Sequence, residues 1–369
     1  MNQPMRPADF QPIGPTHDVR VEPGVSAALD AVAAAAPHSH RFLRRAWFQA
    51  ALDAYGGTAL TLVVGEAGRP VLAMPLVPVG NPMAARAGMM QVPGCYWPFR
   101  SVPVDTACDV AGAASALLNA ARAEARAIRL GPVYDGDPAL EALRQGAAAS
   151  GWAAISRPVA TSFVLDIAAR QTEGAWPRTS TLKKNRFHEK HLGAHGALEW
   201  SFVSGGDWTA ARFDALAEVE RASWIASRTD GSDAKFTEDG HGAFWRAAAA
   251  DPVIAGMMWA AMLHIDGKPM AFSFDLNAGA LKYAIANSYD PAVAKHSPGK
   301  LLYYRNLVRA IEDGITLVDW GAGDSGYKGV IGAEAGPAIR DWLFVRPGVS
   351  AAAARALAGL WRRSGNRDQ

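Results

Sequence analysis

One stretch near the C-terminal end of the chain combines residues that can hold an anion with residues that can move a proton. Ser297, Pro298 and Gly299 precede an apolar pattern at helical spacing that continues to Ile311. Ser297 is predicted to be the N-cap, Pro298 the first helical residue, and Gly299 a position where another group can approach the backbone. The free N–H groups and the dipole of such a helix start attract an anion, although most helix starts bind nothing.

A glycine-rich run after the next predicted strand carries an acid, a phenol and an amine. The strand is expected over residues 315–319, and the functional side chains of the run are Trp320, Asp324, Tyr327 and Lys328. An acid and a phenol can accept and donate protons in a group-transfer reaction. For Asp324 the sequence leaves open a base, an anchor for a substrate amine, and an ordinary turn cap. Lys328 is expected to pair with Asp324 or to steer the substrate, and Trp320 to line the cleft.

The composition of the chain limits the classes of protein it can belong to. Its 369 residues predict about two domains, and half of them are hydrophobic, which is enough for sizeable cores. A net charge of +2 argues against binding to DNA or to an acidic membrane surface. Cys95 and Cys108 match no metal-binding or disulfide spacing, and no apolar run is long enough to span a bilayer. These features, with no signal peptide, predict a reduced, cytoplasmic protein without a metal, and the high alanine, glycine and arginine content is typical of a GC-rich bacterial genome.

The order of the predicted elements divides the chain into two similar halves after a lead-in. Residues 1–38 are predicted to be a weakly structured lead-in, residues 39–170 an N-terminal domain and residues 171–369 a C-terminal domain. Each half contains a Gly-basic-Pro turn that leads into a strand, at Gly68-Arg69-Pro70 and at Gly267-Lys268-Pro269. In each half a loop, an apolar helix, a short strand and a Gly-containing turn with Asp follow, which indicates a duplicated domain. Only the second copy has the Ser-Pro-Gly-Lys helix start, so only that copy is predicted to keep an anion site.

Two further segments contribute candidate residues. A helix predicted from Thr181 to Leu192 carries six basic side chains, which are Lys183, Lys184, Arg186, His188, Lys190 and His191. They form either a solvated helix face or a cationic wall near a ligand with phosphate or acidic groups. The next predicted helix carries Glu220 and Trp224, which are candidates for contact with the substrate. We expect Trp224 in the core or in the cleft wall. For Glu220, an exposed side chain without a function is the simpler interpretation.

The order of elements and the motifs of the second half resemble GNAT-type acyltransferases. The motifs are Ser297-Pro298-Gly299-Lys300-Leu301-Leu302, Asp319-Trp320-Gly321-Ala322-Gly323-Asp324 and Tyr327-Lys328. They are similar to those of the bacterial acetyltransferase family associated with cellulose and exopolysaccharide synthesis, often labelled CelD/BcsL, which is related to the Fem-type aminoacyl transferases. The resemblance covers roughly residues 160–345, and the duplication extends it to about residue 40. The basic-x-x-Gly-x-Gly/Ala phosphate loop that is usual in GNAT enzymes is missing.

The resemblance implies a fold in the α/β (α+β) class with tandem GNAT-like domains, each a mixed, mostly antiparallel twisted sheet flanked by helices. It also implies acetyl-CoA as a co-substrate, with no metal. The N–H groups of Gly299, Lys300 and Leu301 would then hold the pyrophosphate, because they lie at a helix start. The pantetheine would run between the strand that ends near Asn287 and the strand over residues 315–319.

The resemblance further implies direct attack of an amine or a hydroxyl on the thioester. Tyr327 would give a proton to the leaving thiolate, and Asp324 would act as the base or as the substrate-amine anchor. The small-molecule or saccharide acceptor is left open among a sugar hydroxyl, an amino sugar and a peptide amine. Two alternatives remain. One is a Fem-type enzyme that moves an amino acid from aminoacyl-tRNA to a peptidoglycan precursor, with RNA or phosphate on the basic helix. The other is a non-enzymatic scaffold built from a degenerate GNAT pair.

Overall fold

The structure is a computed structural model that describes residues 16–95, 100–174, 176–223, 234–323 and 326–365. The strands are, in chain order, β1 (His17–Pro23), β2 (Leu60–Glu66), β3 (Arg69–Pro78), β4 (Met89–Gln91), β5 (Ala127–Tyr134), β6 (Ala153–Asp166), β7 (Leu198–Ser204), β8 (Met258–Ile265), β9 (Lys268–Ala278), β10 (Leu281–Tyr289), β11 (Leu317–Ala322) and β12 (Glu334–Val345). The helices are α1 (Ala28–Ala35), α2 (Arg45–Tyr55), α3 (Pro82–Arg86), α4 (Val110–Glu124), α5 (Pro138–Ser150), α6 (Ile167–Glu173), α7 (Thr179–Leu192), α8 (Ala210–Ala222), α9 (Gly242–Ala248), α10 (Pro252–Met257), α11 (Pro298–Glu312), α12 (Tyr327–Ile331) and α13 (Val349–Arg363).

The described strands form one continuous sheet of twelve strands. Their order is β1-β2-β3-β4-β5-β12-β6-β11-β10-β9-β8-β7. Most neighbours are antiparallel, and the parallel pairs are β4 with β5 and β10 with β11. A crossover helix joins the strands of each parallel pair, α4 in the first half and α11 in the second. This arrangement confirms the predicted class, a mixed and mostly antiparallel sheet flanked by helices.

The hairpin turns that open the two copies of the repeat have the same backbone geometry. Ala67 and Gly68 have φ angles of 51° and 79°, and Asp266 and Gly267 have φ angles of 50° and 78°. Left-handed values at both central residues give a two-residue turn whose twist matches that of the flanking strands. The strands pair directly beyond each turn. The Gly-basic-Pro repeat of the sequence is therefore also a repeat of the structure.

The two halves exchange their last strands. Strand β6, from the first half, pairs with β11 of the second half, and β12, from the second half, pairs with β5 of the first. Strands β6 and β12 also pair with each other, from Val164 beside Glu334 to Ala153 beside Val345. Each half thus supplies a strand that completes the sheet of the other. The domain boundary predicted at residue 170 stays a prediction. Strands β6 and β12 each pair with strands from the other side of that boundary.

Aromatic side chains fasten the first half to the second. Trp47 of α2 lies edge-to-face against Phe244 and Trp245 of α9, with ring centroids 4.7 and 5.8 Å apart. Phe42 lies 6.3 Å from Tyr283 of β10 in the same edge-to-face orientation. All of these rings are buried. Large buried aromatics dominate packing energies, so the core is shared between the halves.

One expectation about the start of the chain is wrong. Residues 16–38 are not weakly structured, because β1 pairs with β2 along its whole length and Leu29 and Val32 of α1 are fully buried. The alternation of Val19 and Val21 with polar residues was the available strand signal.

Candidate functional site

The parallel strands β10 and β11 separate soon after they meet, and the gap between them is the centre of the candidate site. Three residue pairs join the strands, and the last pair is Tyr283 with Asp319. At the same level, the pairing of β10 with β9 shifts between Ala284 and Ala286. Such a bulge bends a strand and increases its twist. The bend therefore accounts for the way β10 leaves β11 at this point.

A cavity of about 390 Å³ occupies the gap. Its lining residues come from β9, β10, β11 and the start of α12, and are Ser273, Ala284, Ile285, Ala286, Asn287, Trp320, Ala322, Gly323, Tyr327 and Lys328. Four residues that the sequence singles out for a site meet here, namely Asn287, Trp320, Tyr327 and Lys328. Residues from both sides of the α11 crossover are thus brought together, as the sequence predicts.

The start of α11 lies beside this cavity. The Nδ2 group of Asn287 donates a hydrogen bond to the carbonyl oxygen of Gly299 at 3.3 Å. A Cβ atom on Gly299 would lie 2.8 Å from Oδ1 of Asn287 and 3.0 Å from Cδ1 of Tyr289. Glycine is therefore needed so that α11 can pack on β10. The close approach to the backbone that the sequence predicts at Gly299 is thus made by the side chains of Asn287 and Tyr289.

The first turn of α11 is not capped by a side chain. Ser297 has a left-handed φ of 52°, and its side chain makes no capping hydrogen bond. Within the described residues, the N–H groups of Gly299 and Lys300 have no acceptor. The prediction of Leu301 as a third donor is wrong, because its N–H donates to the carbonyl oxygen of Ser297 at 3.1 Å. Since Pro298 has no N–H, two donors are open to an anion.

The equivalent helix start in the first half is closed. Asp109 is the N-cap of α4, and its Oδ1 accepts a hydrogen bond from the N–H of Gly112 at 3.0 Å. A carboxylate at this place takes up a free donor and repels a second anion. The segment that contains Arg100 also lies beside β5, because the N–H of Gly131 in β5 donates to the carbonyl oxygen of Arg100 at 3.1 Å. Of these two equivalent helix starts, only that of α11 lacks a side-chain cap, and its anion site stays a prediction.

Basic side chains surround the open start of α11. The ring of His296 lies 6.3 Å from that of His191 in α7 and 5.1 Å from that of His195. Burial, and then the neighbouring positive charge of Lys184, lower the pKa of Lys300. Desolvation and the surrounding histidines lower the pKa of His296 in the same way. An anion would stabilise like charges that crowd one place, and the cationic wall and the solvated helix face both stay open for α7.

Tyr327 lies in an aromatic cluster at the wall of the gap. It is the first residue of α12, and its ring lies edge-to-face to Trp320 with centroids 5.8 Å apart. The ring of Tyr303 lies 6.2 Å away on the α11 side. Trp320 and Tyr303 are buried, whereas Tyr327 is 38% exposed. The cluster therefore holds Tyr327 at a place that a ligand in the gap can reach.

Lys328 is buried and holds the end of β11. Its Nζ donates hydrogen bonds to the carbonyl oxygens of Trp320, Gly321 and Ala322 at 2.8, 3.0 and 2.9 Å. Nζ also lies 5.2 Å from the ring centre of Phe163. Three carbonyl acceptors match the three donors of an ammonium group. The geometry thus gives Lys328 the role of fixing the strand end beside the gap, and its contact with a substrate stays a prediction.

Glu220, one of the predicted site residues, does not line the gap. Glu220 is 1% exposed, and its carboxylate accepts hydrogen bonds from the N–H groups of Lys235 and Phe236 at 2.8 and 2.7 Å. Burial raises the pKa of Glu220. The expectation of an exposed Glu220 is wrong, because this carboxylate anchors the following segment to α8. Trp224 and Asp324 lie outside the described residues.

Asp319 is an acid near the gap to which the sequence assigns no role of its own. This residue lines a cavity of about 560 Å³ where the two halves meet. Asp319 is 6% exposed and accepts a hydrogen bond from the N–H of Gly321 at 2.7 Å. Burial raises the pKa of Asp319, while that N–H and a hydrogen bond from Tyr134 act in the opposite direction. An acid at the end of an apolar strand was the signal that could have identified it.

The first half contributes a buried polar network to the same cavity, which we call the interlobe cavity. A ring nitrogen of His40, Nε2, lies 2.9 Å from Oδ2 of Asp137, and the hydroxyl of Ser101 donates to Oδ1 at 2.9 Å. Burial alone would raise the pKa of Asp137, but the charge of His40 and these hydrogen bonds bring it below its usual value. In the sequence, Asp137 before Pro138 indicates only the N-cap of α5.

Two kinds of feature are absent from the parts of the chain that the structure describes. No helix there is both long and apolar enough to cross a bilayer. No group of three or more histidine, cysteine, aspartate or glutamate residues is arranged to hold a metal ion in those same ranges.

The comparison with protein families gives one match. Residues 179–329, which are less than half of the chain, match the family model described as "Acetyltransferase (GNAT) domain". The matched range begins with α7 and ends inside α12, so it contains α11, both walls of the gap and every predicted site residue. A search of curated proteins gave no significant match.

Solved structures share the fold of the whole chain. The C-terminal domain (DUF2156) of a putative lysylphosphatidylglycerol synthetase from Agrobacterium fabrum is 17% identical, with a TM-score of 0.54 over 94% of this chain and 98% of that chain. The crystal structure of FemX is 14% identical, with a TM-score of 0.55 over 89% and 97%. A conserved protein of unknown function from Bacteroides thetaiotaomicron is 12% identical, with a TM-score of 0.50 over 89% and 100%. The chain has a GNAT-like acyltransferase fold with two halves.

Proposed function

We propose that this protein is an acetyl-CoA-dependent acetyltransferase in which the acceptor attacks the thioester directly. The observation that supports it best is the gap between β10 and β11, which opens beside the uncapped start of α11. The match to an acetyltransferase domain covers these elements. The motif resemblance to CelD/BcsL proteins favours a saccharide or small-molecule acceptor in polysaccharide or cell-envelope biosynthesis.

The co-substrate would lie along the open helix start and then in the gap. The N–H groups of Gly299 and Lys300 would donate to the diphosphate, and the positive charges of Lys300 and His296 would attract it. The amide-rich pantetheine arm would then extend between the separated strands toward Tyr327. Asn287 would act as a positioning residue, because its side chain links β10 to the first turn of α11.

The reaction needs a nucleophile from the acceptor and a proton donor for the leaving group. The attacking atom forms a bond to the carbonyl carbon, the bond from that carbon to sulfur breaks, and the thiolate of CoA takes a proton from Tyr327. The proton that the attacking atom loses then restores the phenol of Tyr327. No acyl-enzyme is required, since Cys95 is buried in the first half and Cys108 lies beside Asp105 in that half. Asp324 stays a hypothesis as base or amine anchor.

Calorimetry with acetyl-CoA and the whole chain tests this proposal. We expect binding with a dissociation constant on the order of 10 μM, within the usual range of Michaelis constants. Free CoA should compete for the same site, because the diphosphate is common to both. If acetyl-CoA gives no binding heat and does not shift the melting temperature at millimolar concentration, the protein is not an acetyl-CoA-dependent enzyme.

A second candidate function is aminoacyl transfer from tRNA. The crowded basic side chains near α11 favour it to some extent, because they would attract an RNA backbone as well as a diphosphate. A gel-shift titration with tRNA separates the two candidates. Aminoacyl transfer predicts a complex whose affinity falls steeply with salt, whereas the acetyltransferase predicts no tRNA complex at 150 mM salt, a condition near physiological ionic strength.

A further inference from the structure

The interlobe cavity is acidic. Among the described residues, five carboxyl groups and no lysine or arginine line it, and the acids are Asp135, Asp137, Asp166, Asp319 and Glu334. Arginines from outside the cavity pair with two of them, as Arg340 binds Asp135 at 3.0 Å and Arg170 binds Glu334 at 2.5 Å. Asp137 pairs with His40. A net negative charge remains, and it attracts a cation into a partly closed space.

Asp319 and Asp137 are the buried acids of this cavity, and only Asp137 has a basic partner within ion-pair distance among the described residues. The hydrogen-bond donors to Asp319 are neutral, the N–H of Gly321 and the hydroxyl of Tyr134. The charge of Lys328 acts on Asp319 without an ion pair and lowers its pKa by less than burial raises it. A buried carboxylate without a counter-ion is costly, and a cationic ligand would remove that cost.

Asp319 lies between the interlobe cavity and the gap that separates β10 from β11. Asp319 and Tyr283 form the last pair between β11 and β10, and both line the interlobe cavity. The next residues, Trp320 and Ala284, line the gap. Adjacent residues of a strand are about 3.3 Å apart along its axis and point to opposite faces. The two cavities therefore lie on opposite faces of the sheet, on either side of the point where the strands separate.

We propose that the interlobe cavity is the acceptor site, that the acceptor presents a protonated primary amine to it, and that Asp319 takes the proton that must leave before the nitrogen attacks. This inference rests on the proposed acetyl-CoA-dependent function. The cavity is built by both halves, since His40 and Tyr134 come from the first half and Asp319 from the second. The first half therefore acts in acceptor recognition although its own helix start is closed.

The proton and bond changes balance in this arrangement. The ammonium of the acceptor gives one proton to Asp319, and the neutral nitrogen then forms a bond to the thioester carbon. When the carbon–sulfur bond breaks, the sulfur takes a proton from Tyr327, and the second proton of the nitrogen returns to the phenolate. Asp319 finally releases its proton to solvent. The products are an amide, free CoA and one proton.

The chemistry of the cavity favours an amine over a hydroxyl. Burial raises the pKa of Asp319. The pKa of an alkylammonium group is about 10, so the difference between the two pKa values becomes smaller and the proton moves to Asp319 more readily. The negative charge of the cavity does not attract a neutral alcohol. The pKa of an alcohol is also far above that of a carboxyl group, so a carboxylate does not remove its proton. An anionic acceptor would be repelled by the unpaired carboxylate.

Matched pairs of acceptors test the inference, with release of CoA thiol as the measurement. The pairs are glucosamine with glucose, and 1,6-diaminohexane with 1,6-hexanediol. We expect thiol release above the rate of acetyl-CoA hydrolysis with the amine of at least one pair, and none with its hydroxyl partner. Equal rates for both members, or no amine that raises the rate while acetyl-CoA binds normally, would overturn the inference and leave the co-substrate proposal intact.

Substitution of Asp319 gives the second arm of the test. Asp319→Asn keeps an oxygen that can accept the N–H of Gly321, so it preserves the fold. We expect at least about a 100-fold lower rate of amine acetylation, unchanged affinity for acetyl-CoA, and loss of the acidic limb of the pH–rate profile. Tyr134→Phe should shift that limb without abolishing activity, because Tyr134 is a positioning residue. A normal pH profile in Asp319→Asn would rule out Asp319 as the base.

Discussion

Asp109 and Ser297 occupy equivalent places, each immediately before the helix that joins two parallel strands, but only Asp109 covers a backbone donor of its helix. Its Oδ1 accepts from the N–H of Gly112 at 3.0 Å, whereas Ser297 makes no side-chain cap. One copy of the duplicated unit is thus closed by a built-in carboxylate, and the other is open to an anion from outside.

Introducing a carboxylate at residue 297 should close the second copy as well. Ser297→Asp brings a negative charge to the first turn of α11, and aspartate tolerates the left-handed backbone found there. We expect acetyl-CoA to bind about 10-fold more weakly or worse, which corresponds to roughly 1.4 kcal/mol. Ser297→Asn is the matched control, because it has the same size without the charge. Calorimetry of both variants checks the prediction. Equal affinities of the two variants for acetyl-CoA would show that the diphosphate does not bind at this helix start.

Removing the hydroxyl of Tyr327 should slow the chemical step and leave binding unchanged. Tyr327→Phe keeps the ring contact with Trp320, so the wall of the gap is preserved. We expect turnover to fall by at least about 10-fold, since general acids contribute on the order of 100-fold or more. Tyr303→Phe, on a neighbouring ring that does not line the gap, is the control. A Tyr327→Phe variant with normal turnover would show that another group protonates the thiolate.

The basic cluster at α11 makes a prediction about pH. Desolvation and nearby cations lower the pKa of His296, and an anion at this place would raise it again. The charged groups that act on His296 are His188, His191, His195 and Lys295, and Lys184 acts on the neighbouring Lys300. Binding of acetyl-CoA should therefore take up protons, and affinity should fall as the pH rises and His296 loses its charge.

Calorimetry in buffers of different ionisation enthalpy measures this proton uptake directly. Between pH 6 and pH 8 we expect about 3- to 10-fold weaker binding, because one unit of pKa shift is worth about 1.36 kcal/mol. His296→Gln should reduce the uptake and flatten the dependence. The same uptake in His296→Gln as in the natural chain would place the titrating group elsewhere, for example on the phosphate.

A buried ion pair beneath α11 gives a prediction about stability. Nζ of Lys282 lies 2.9 Å from Oδ2 of Asp275, both side chains are 1% exposed, and Nδ2 of Asn306 in α11 donates to the same oxygen. Lys282→Met should lower the free energy of unfolding by about 3–5 kcal/mol, because it leaves a buried carboxylate without its partner. The double variant Lys282→Met with Asp275→Leu should recover most of the loss. Urea unfolding monitors both, and a double variant as unstable as the single one would contradict this account.

Local signals in the sequence predict the framework well. The turn that contains Gly267 and the helix start at Pro298 are both where the sequence places them. In each case the signal is a turn residue, a cap position or a periodic apolar pattern that lies within a few residues of the feature it specifies.

Relations between distant parts of the chain are what the sequence does not reveal. His40, Asp137 and Asp319 meet in one cavity although nearly 300 positions separate the first from the last. Glu220 has the spacing of an exposed helical residue, yet a segment that follows α8 folds over it. Such contacts depend on how elements pack, and no periodicity records that.

The exchanged strands have a consequence for biosynthesis. Strand β5 can pair with β12 only after residue 345 has left the ribosome. One edge of β5 therefore stays unpaired during most of translation. Pairings this far apart in the chain also make folding slow. Neither half should therefore survive as a separate gene product, and fission or circular rearrangement of the reading frame between β6 and β12 would expose backbone that aggregates.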